Sequence, residues 1–125
     1  MVYKKTNEEF KKAFKKRCFL FSANLIKIST ELYNIRKNWV ILDQLLRSGT
    51  SIGANVVEGG SSISKKEFIS YFQISLKSSS ESLYWLALLR EINHSYRTQI
   101  NDLINECIEL KKILITILKN TKASL

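Results

Sequence analysis

Four stretches of this chain place apolar residues at helical intervals, three of them alternately three and four positions apart with Gly49 taking one place, and no proline interrupts any of them. In the first, Phe14, Cys18, Phe21, Leu25, Ile28 and Leu32 follow at intervals of 4, 3, 4, 3 and 4. The second holds Leu42, Leu45, Gly49, Ile52 and Val56, and the third holds Phe68, Phe72, Leu76, Leu83, Leu86 and Leu89. The fourth, with Ile100, Leu103, Cys107, Leu110, Leu114 and Ile117, is the most regular. An α-helix turns once in about 3.6 residues, so this spacing holds one apolar stripe toward partner helices. A length of 125 residues with 45% hydrophobic content gives room for one domain, residues 1–125, with a core of its own. The pattern predicts an all-α fold, an antiparallel up-down-up-down four-helix bundle.

Local signals set the expected helix ends. Thr6-Asn7-Glu8-Glu9 has the spacing of a capping box and predicts a first helix that starts there and ends near Asn34. Ile35 to Asn38 reads as a polar connection, with Asn38 as the cap of the second helix. Gly59-Gly60 reads as a stop in the left-handed conformation that ends many helices. A second capping box, Ser64-Lys65-Lys66-Glu67, opens a third helix that runs to about Ile92. Asn93 to Tyr96 is the last turn, and Thr121 to Leu125 are expected to fray.

The second helix is a seam of small residues. Ser48, Gly49, Ser51, Gly53 and Ala54 let a neighbour approach closely, and the third helix answers with Ser75, Ser78, Ser79, Ser80 and Ser82. Pairing the two antiparallel predicts that the serine patch faces the seam. Arg47, Ser51, Asn55, Glu58 and Glu81 then read as a structural polar network satisfied inside the bundle. Glu58 and Glu81 as a carboxylate pair for acid-base or metal chemistry is the competing reading. It is the weaker one, because the only histidine, His94, falls in a turn and no ligand set accompanies the carboxylates.

Charge and composition narrow the function. The net charge is +9, and residues 1–17 carry seven basic side chains against two acidic ones. Clustered lysine and arginine attract polyanions without needing a motif, although the same cluster also serves solubility. Lys4, Lys5, Lys11, Lys12, Lys15, Lys16, Arg17, Lys65 and Lys66 are the expected phosphate contacts. Cys18 and Cys107 lie on apolar faces with no second ligand at metal spacing, so they read as buried, reduced thiols and no metal is expected. The Gly59-Gly60 turn lacks the spacing of a phosphate-binding loop and follows no strand. No nucleophile and base pair up in the sequence, so the expectation is a protein without enzymatic activity or cofactor. No apolar run approaches the roughly 18 to 20 residues that span a bilayer, and the charged N-terminus is unlike a signal peptide, so a cytoplasmic location is expected. Ile69, Tyr71, Ile74, Tyr84, Trp85 and Leu88 add apolar surface beside the core stripe of the third helix. Such surplus predicts a homo-oligomer, with Tyr84 and Trp85 at an interface.

The run from Gln44 to Glu58, QLLRSGTSIGANVVE, followed by Ser64-Lys65-Lys66-Glu67-Phe68-Ile69, Ile74-Ser75-Leu76-Lys77, Glu81 and Tyr84-Trp85-Leu86, resembles a bacterial family of four-helix bundles. Its members are encoded by intervening sequences within large-subunit ribosomal RNA genes. The resemblance extends from about Phe14 to Leu118, and departs at Ser78, where an acidic residue is expected, and at Gly60-Ser61-Ser62. It implies a ring-like homopentamer without an assigned biochemical role. It also implies kinship with the accessory proteins of diversity-generating retroelements, which are basic and bind nucleic acid and a reverse transcriptase. Five copies of a +9 chain would carry +45, a strong attractor for phosphates.

Two readings of function follow. The first is a non-enzymatic oligomer that binds RNA or DNA through its basic surface. The second is a scaffold that docks a protein partner near Tyr84 and Trp85, since tyrosine and tryptophan are favoured interface anchors.

Overall fold

A computed structural model of the chain describes the backbone of residues 2–124 and the side chains of residues 7–124. It contains four long helices, α1 (Val2–Leu32), α2 (Trp39–Gly60), α3 (Lys65–Ile92) and α4 (Arg97–Ala123), and no strand among the described residues. Single 3-10 turns, Arg36–Asn38 and His94–Tyr96, precede α2 and α4. The helices alternate in direction and form the predicted four-helix bundle. At about 1.5 Å per residue even α2, with 22 residues, is roughly 33 Å long.

The core is built from the stripes that the spacing marks. Leu25 and Leu32 from α1, Leu42 and Leu45 from α2, Leu86 and Leu89 from α3, and Ile100, Cys107, Leu110 and Leu114 from α4 are fully enclosed. On α4 the last core position is Leu118, and Ile117 is half-buried beside it. The inner face of α3 joins the serine patch, which faces the α2 seam as predicted, to part of the apolar series. Phe72, Ser75, Ser79, Ser82, Leu86 and Leu89 are buried at intervals of 3, 4, 3, 4 and 3, whereas Phe68, Leu76 and Leu83 are only half-buried at its edges. Serines therefore occupy the middle of a core stripe.

That stripe explains the tight fit of α3 on α2, the most extensive helix pairing in the bundle. Ser48 and Ser82 share a hydrogen bond of 2.9 Å between their hydroxyls, and the Ser75 hydroxyl donates to the Ile52 carbonyl at 2.8 Å. The buried hydroxyls of Ser48, Ser75, Ser79 and Ser82 each keep a partner, so close approach is obtained here without stranding a polar group. The glycines of the seam mostly serve a different neighbour. A Cβ on Gly49 would overlap Leu25 of α1, and one on Gly53 would stand 3.2 Å from Cys18 Cβ. Only Gly59 opens toward α3, where Phe72 lies against it. The seam thus faces α1 with its glycines and α3 with its serines.

Several helix ends differ from expectation. Helix α1 begins at Val2, so Thr6 lies within it; the Thr6 side chain is outside the described residues. Gly59 and Gly60 belong to α2, and no described glycine has a positive φ, so the pair does not stop the helix by a left-handed turn. Gly59 is small because Phe72 needs the space. The serine half of the second box is made, with extended backbone at Ser64 and its Oγ accepting from the Glu67 amide at 3.1 Å. Helix α4 extends through Thr121 to Ala123.

Asn38 does not cap α2 with its side chain. It is fully buried and pairs with Asn93: Asn38 Nδ2 donates to Asn93 Oδ1 at 3.1 Å and Asn93 Nδ2 donates to Asn38 Oδ1 at 2.9 Å. The same amide groups also donate to the Leu32 and Leu89 carbonyls, at 3.1 and 2.9 Å. Both carbonyls lie in the last turns of α1 and α3, where intrahelical donors run out; that of Leu32 also accepts from the Ile35 amide at 3.1 Å. One reciprocal pair thereby ties the α1–α2 and α3–α4 connections together at one pole.

Cys18 and Cys107 are buried as expected, and burial pushes both thiols up to about 12. Cys107 is also held by its Sγ donating to the Ser79 carbonyl at 3.4 Å.

Candidate nucleic-acid interface

Antiparallel packing brings four chain segments to the pole opposite the asparagine pair: residues 2–16, 56–72 and 117–124 supply the start of α1, the end of α2, the start of α3 and the end of α4. These segments hold ten basic side chains against four acidic ones, a net +6 out of the chain's +9. Six of the ten are on α1. Lys11, Lys12, Lys15 and Lys16 are exposed, while the side chains of Lys4 and Lys5 lie outside the described residues. Lys66 is exposed at the start of α3, and Lys65 is half-buried with its Nζ donating to Ser124 Oγ at 3.1 Å. Lys119 and Lys122 complete the set from α4, and both are exposed. Sequence reading missed these two because they are some 110 positions from the first lysines. Up-down-up-down topology was the available signal, since it places the start of α1 beside the end of α4.

Arg17 stands apart from the other basic residues. Its guanidinium grips Glu106 of α4 in a two-pronged pair, Nε to Oε2 at 2.9 Å and an Nη2 to Oε1 at 2.6 Å, and the carboxylate holds the arginine pKa above its ordinary value. The arginine expected at phosphates is engaged in joining α1 to α4.

Between the helix ends at the basic pole lies an open cavity of about 590 Å³. Phe14, Val56, Gly59, Phe68, Phe72 and Ile117 form its apolar walls, and Asn7, Phe10, Lys11, Lys15, Ser62, Asn120 and Thr121 are also in its lining. A second groove of about 420 Å³ runs between the outer faces of α1 and α2, lined by Lys15, Phe19, Ser22, Thr50, Gly53, Ala54, Val57 and Glu58. Phe19 is 71% exposed there, and Val40 further along α2 is 72% exposed. The surplus apolar surface therefore lies on α1 and α2 as well as on α3, where Ile69 and Trp85 pack against the core and Ile74 and Tyr84 remain exposed.

The five residues expected in one internal polar network separate into distinct places. Arg47 pairs with Glu81 at 2.9 Å at the surface, and Glu81 also accepts from Trp85 Nε1 at 2.9 Å. Asn55 donates to the Ser51 hydroxyl and carbonyl, and Ser51 accepts from Ser78, forming a half-buried group of its own. Glu58 is exposed in the α1–α2 groove. Eleven residues of helix separate it from Arg47, about 16 Å along the axis, so Glu81 beside Arg47 and Glu58 do not form a carboxylate pair. Tyr84 meets Trp85 edge to face with ring centroids 5.1 Å apart. Among the described residues no group of three or more potential metal ligands assembles, and no helix is long and apolar enough to cross a membrane.

The architecture is that of a small antiparallel helical bundle with its positive charge gathered at one end. The model of the 23S rRNA-intervening sequence protein family matches residues 9–116, and the chain belongs to that family. Its fold is similar to the crystal structure of a protein of unknown function from the S23 ribosomal protein family of Bacteroides thetaiotaomicron, with a TM-score of 0.79 and 37% identity over 85% of this chain and 98% of that one. No curated protein matches the chain.

Proposed function

We propose that this chain is a non-enzymatic, homo-oligomeric protein of the cytoplasm that binds RNA or DNA through phosphate contacts at its basic pole. One observation carries the reading: the fold gathers lysines from three helices, distant in sequence, at a single end. Each neutralised phosphate releases condensed counterions, so a lysine cluster binds a polyanion without reading its sequence. The family description refers to 23S rRNA and the similar structure is assigned to a ribosomal protein family by name, which makes RNA the first ligand to test. The exposed apolar groove of α1 and α2 supports self-association, and the resemblance to the intervening-sequence family makes a homopentamer the expected form.

Labelled single-stranded RNA, duplex RNA and duplex DNA titrated across roughly 50 to 200 mM salt test the proposal, with the mass in solution measured alongside. The expected result is oligomeric protein whose affinity falls steeply with salt. Replacing Lys11, Lys12, Lys15 and Lys16 by alanine then lowers the log–log salt slope by about 3 to 4 for each copy in contact. Absence of binding to all three at about 100 mM salt overturns the proposal. A scaffold for a protein partner is the second reading, favoured by Tyr84, which is 61% exposed against an anchored Trp85.

A further inference from the structure

We infer that the cavity at the basic pole receives one unpaired base, which makes the protein a single-strand binder in preference to a duplex binder. This rests on the nucleic-acid reading above and names the form of the ligand. The cavity has the size of small-ligand sites, about 590 Å³, and Phe10, Phe14, Phe68 and Phe72 are in its lining. Phe68 and Phe72 are stacked with centroids 4.1 Å apart. Phe10 lies nearly parallel to Phe14, at 5° and 6.4 Å, and remains 48% exposed in the cavity lining. A base stacked on Phe10 would cover apolar surface that the fold leaves in water.

The polar part of the lining fits the rest of a nucleotide. Among the described residues Lys11 and Lys15 are the charged side chains of its lining and no carboxylate joins them, so an anionic group is favoured there and a cationic one is not. Asn7 and Asn120 offer amides that both donate and accept, as the edges of bases require. Ser62, also in the lining, has its Oγ buried without a hydrogen-bond partner among the described residues. From Lys11 and Lys15, each next residue on α1 turns about 100° further around the axis, so Lys12 and Lys16 carry the positive strip outward, where the flanking phosphates of a strand would run. A duplex keeps its bases stacked and paired. It reaches the lysines and leaves the cavity empty.

Three RNA ligands separate base insertion from charge: a single strand of about twelve nucleotides, the same strand with abasic positions that retain every phosphate, and its blunt duplex. They are titrated at constant salt against the wild-type chain and Phe10→Ala. Base stacking on protein aromatics predicts that the abasic strand and the duplex bind on the order of tenfold more weakly than the intact strand. Phe10→Ala should bring the intact strand down to the abasic level, with the abasic affinity and the unfolding transition unchanged. Equal binding of intact and abasic strands overturns base insertion while the phosphate reading stands. An equal loss on both strands from Phe10→Ala also overturns it, and failure of every ligand to bind overturns both readings.

Discussion

A methyl group added at Gly59 would stand 2.7 Å from Phe72 Cε1 and 3.1 Å from Tyr71 Cβ, whereas one added at Gly60 would meet only the end of the flexible Lys15 side chain at 3.4 Å. Neither glycine has a positive φ, so alanine is conformationally acceptable at both positions. Gly59→Ala should therefore destabilise by about 1 to 3 kcal/mol through overpacking against a buried ring. Gly60→Ala should be neutral or stabilise by up to about 1 kcal/mol, by narrowing the unfolded ensemble. Urea unfolding of the two variants checks the opposite signs. The thiols give a second residue-scale prediction. Their folded pKa values, about 12, exceed the ordinary 9.0, so above pH 9 the unfolded chain loses protons that the native chain keeps. The stabilisation is complete below pH 9 and falls by about 1.4 kcal/mol per pH unit for each thiol until it is lost near 12. Replacing both cysteines by alanine should remove this part of the alkaline slope in pH-dependent unfolding curves. In the native protein at pH 8, neither cysteine should react with iodoacetamide faster than the protein opens.

Helix α3 tests what small side chains contribute to a packed element. Ser82→Ala removes a hydroxyl that bridges Ser48 and the Ser78 carbonyl, and should cost about 1 to 2 kcal/mol. Ser82→Leu should cost more than the alanine variant, with overpacking worth about 1 to 3 kcal/mol in addition, because it forces α2 and α3 apart where their hydroxyls touch. Calorimetric melting of the pair distinguishes a lost bond from a lost fit. The same helix shows how far sequence pattern reaches. Stripes on α1, α2 and α4 were legible because their inward positions are predominantly apolar; on α3 a hydrophobic pattern skips Ser75, Ser79 and Ser82, and only their small size, matched to the α2 seam, pointed them inward. The Ser64 cap was legible because its bond is local. Arg17 was not, since its partner Glu106 is 89 positions away and becomes its neighbour only when α4 packs beside α1. Nor was Asn38, whose position before a helix suggests a cap while its amide is used across the bundle.

The whole molecule has two unlike poles. Its basic end could be reconstructed from sequence once the topology was fixed, because lysine positions and helix direction together determine where charge gathers. The cavity there could not, since its shape depends on Gly59 admitting Phe72 and on Phe10 lying over Phe14. Its opposite end is closed by four hydrogen bonds from two buried amides. Asn38→Ala leaves the buried Asn93 Oδ1 without its donor and takes one of two donors from the Leu32 carbonyl, and should lower stability by about 1 to 3 kcal/mol in denaturant titration. The distribution of connections adds to this contrast. Both the α1–α2 and α3–α4 links sit at the asparagine end, while the lysine end has the α2–α3 link. The bundle is built like a clothes-peg: sprung at the amide pair, with jaws at the lysines. Amide protons near Lys15 and Asn120 should exchange before those near Asn38 and Asn93, because the jaws part by local opening while the spring holds. A strand entering between them would widen the molecule where widening costs least, and the grip would close from the far end.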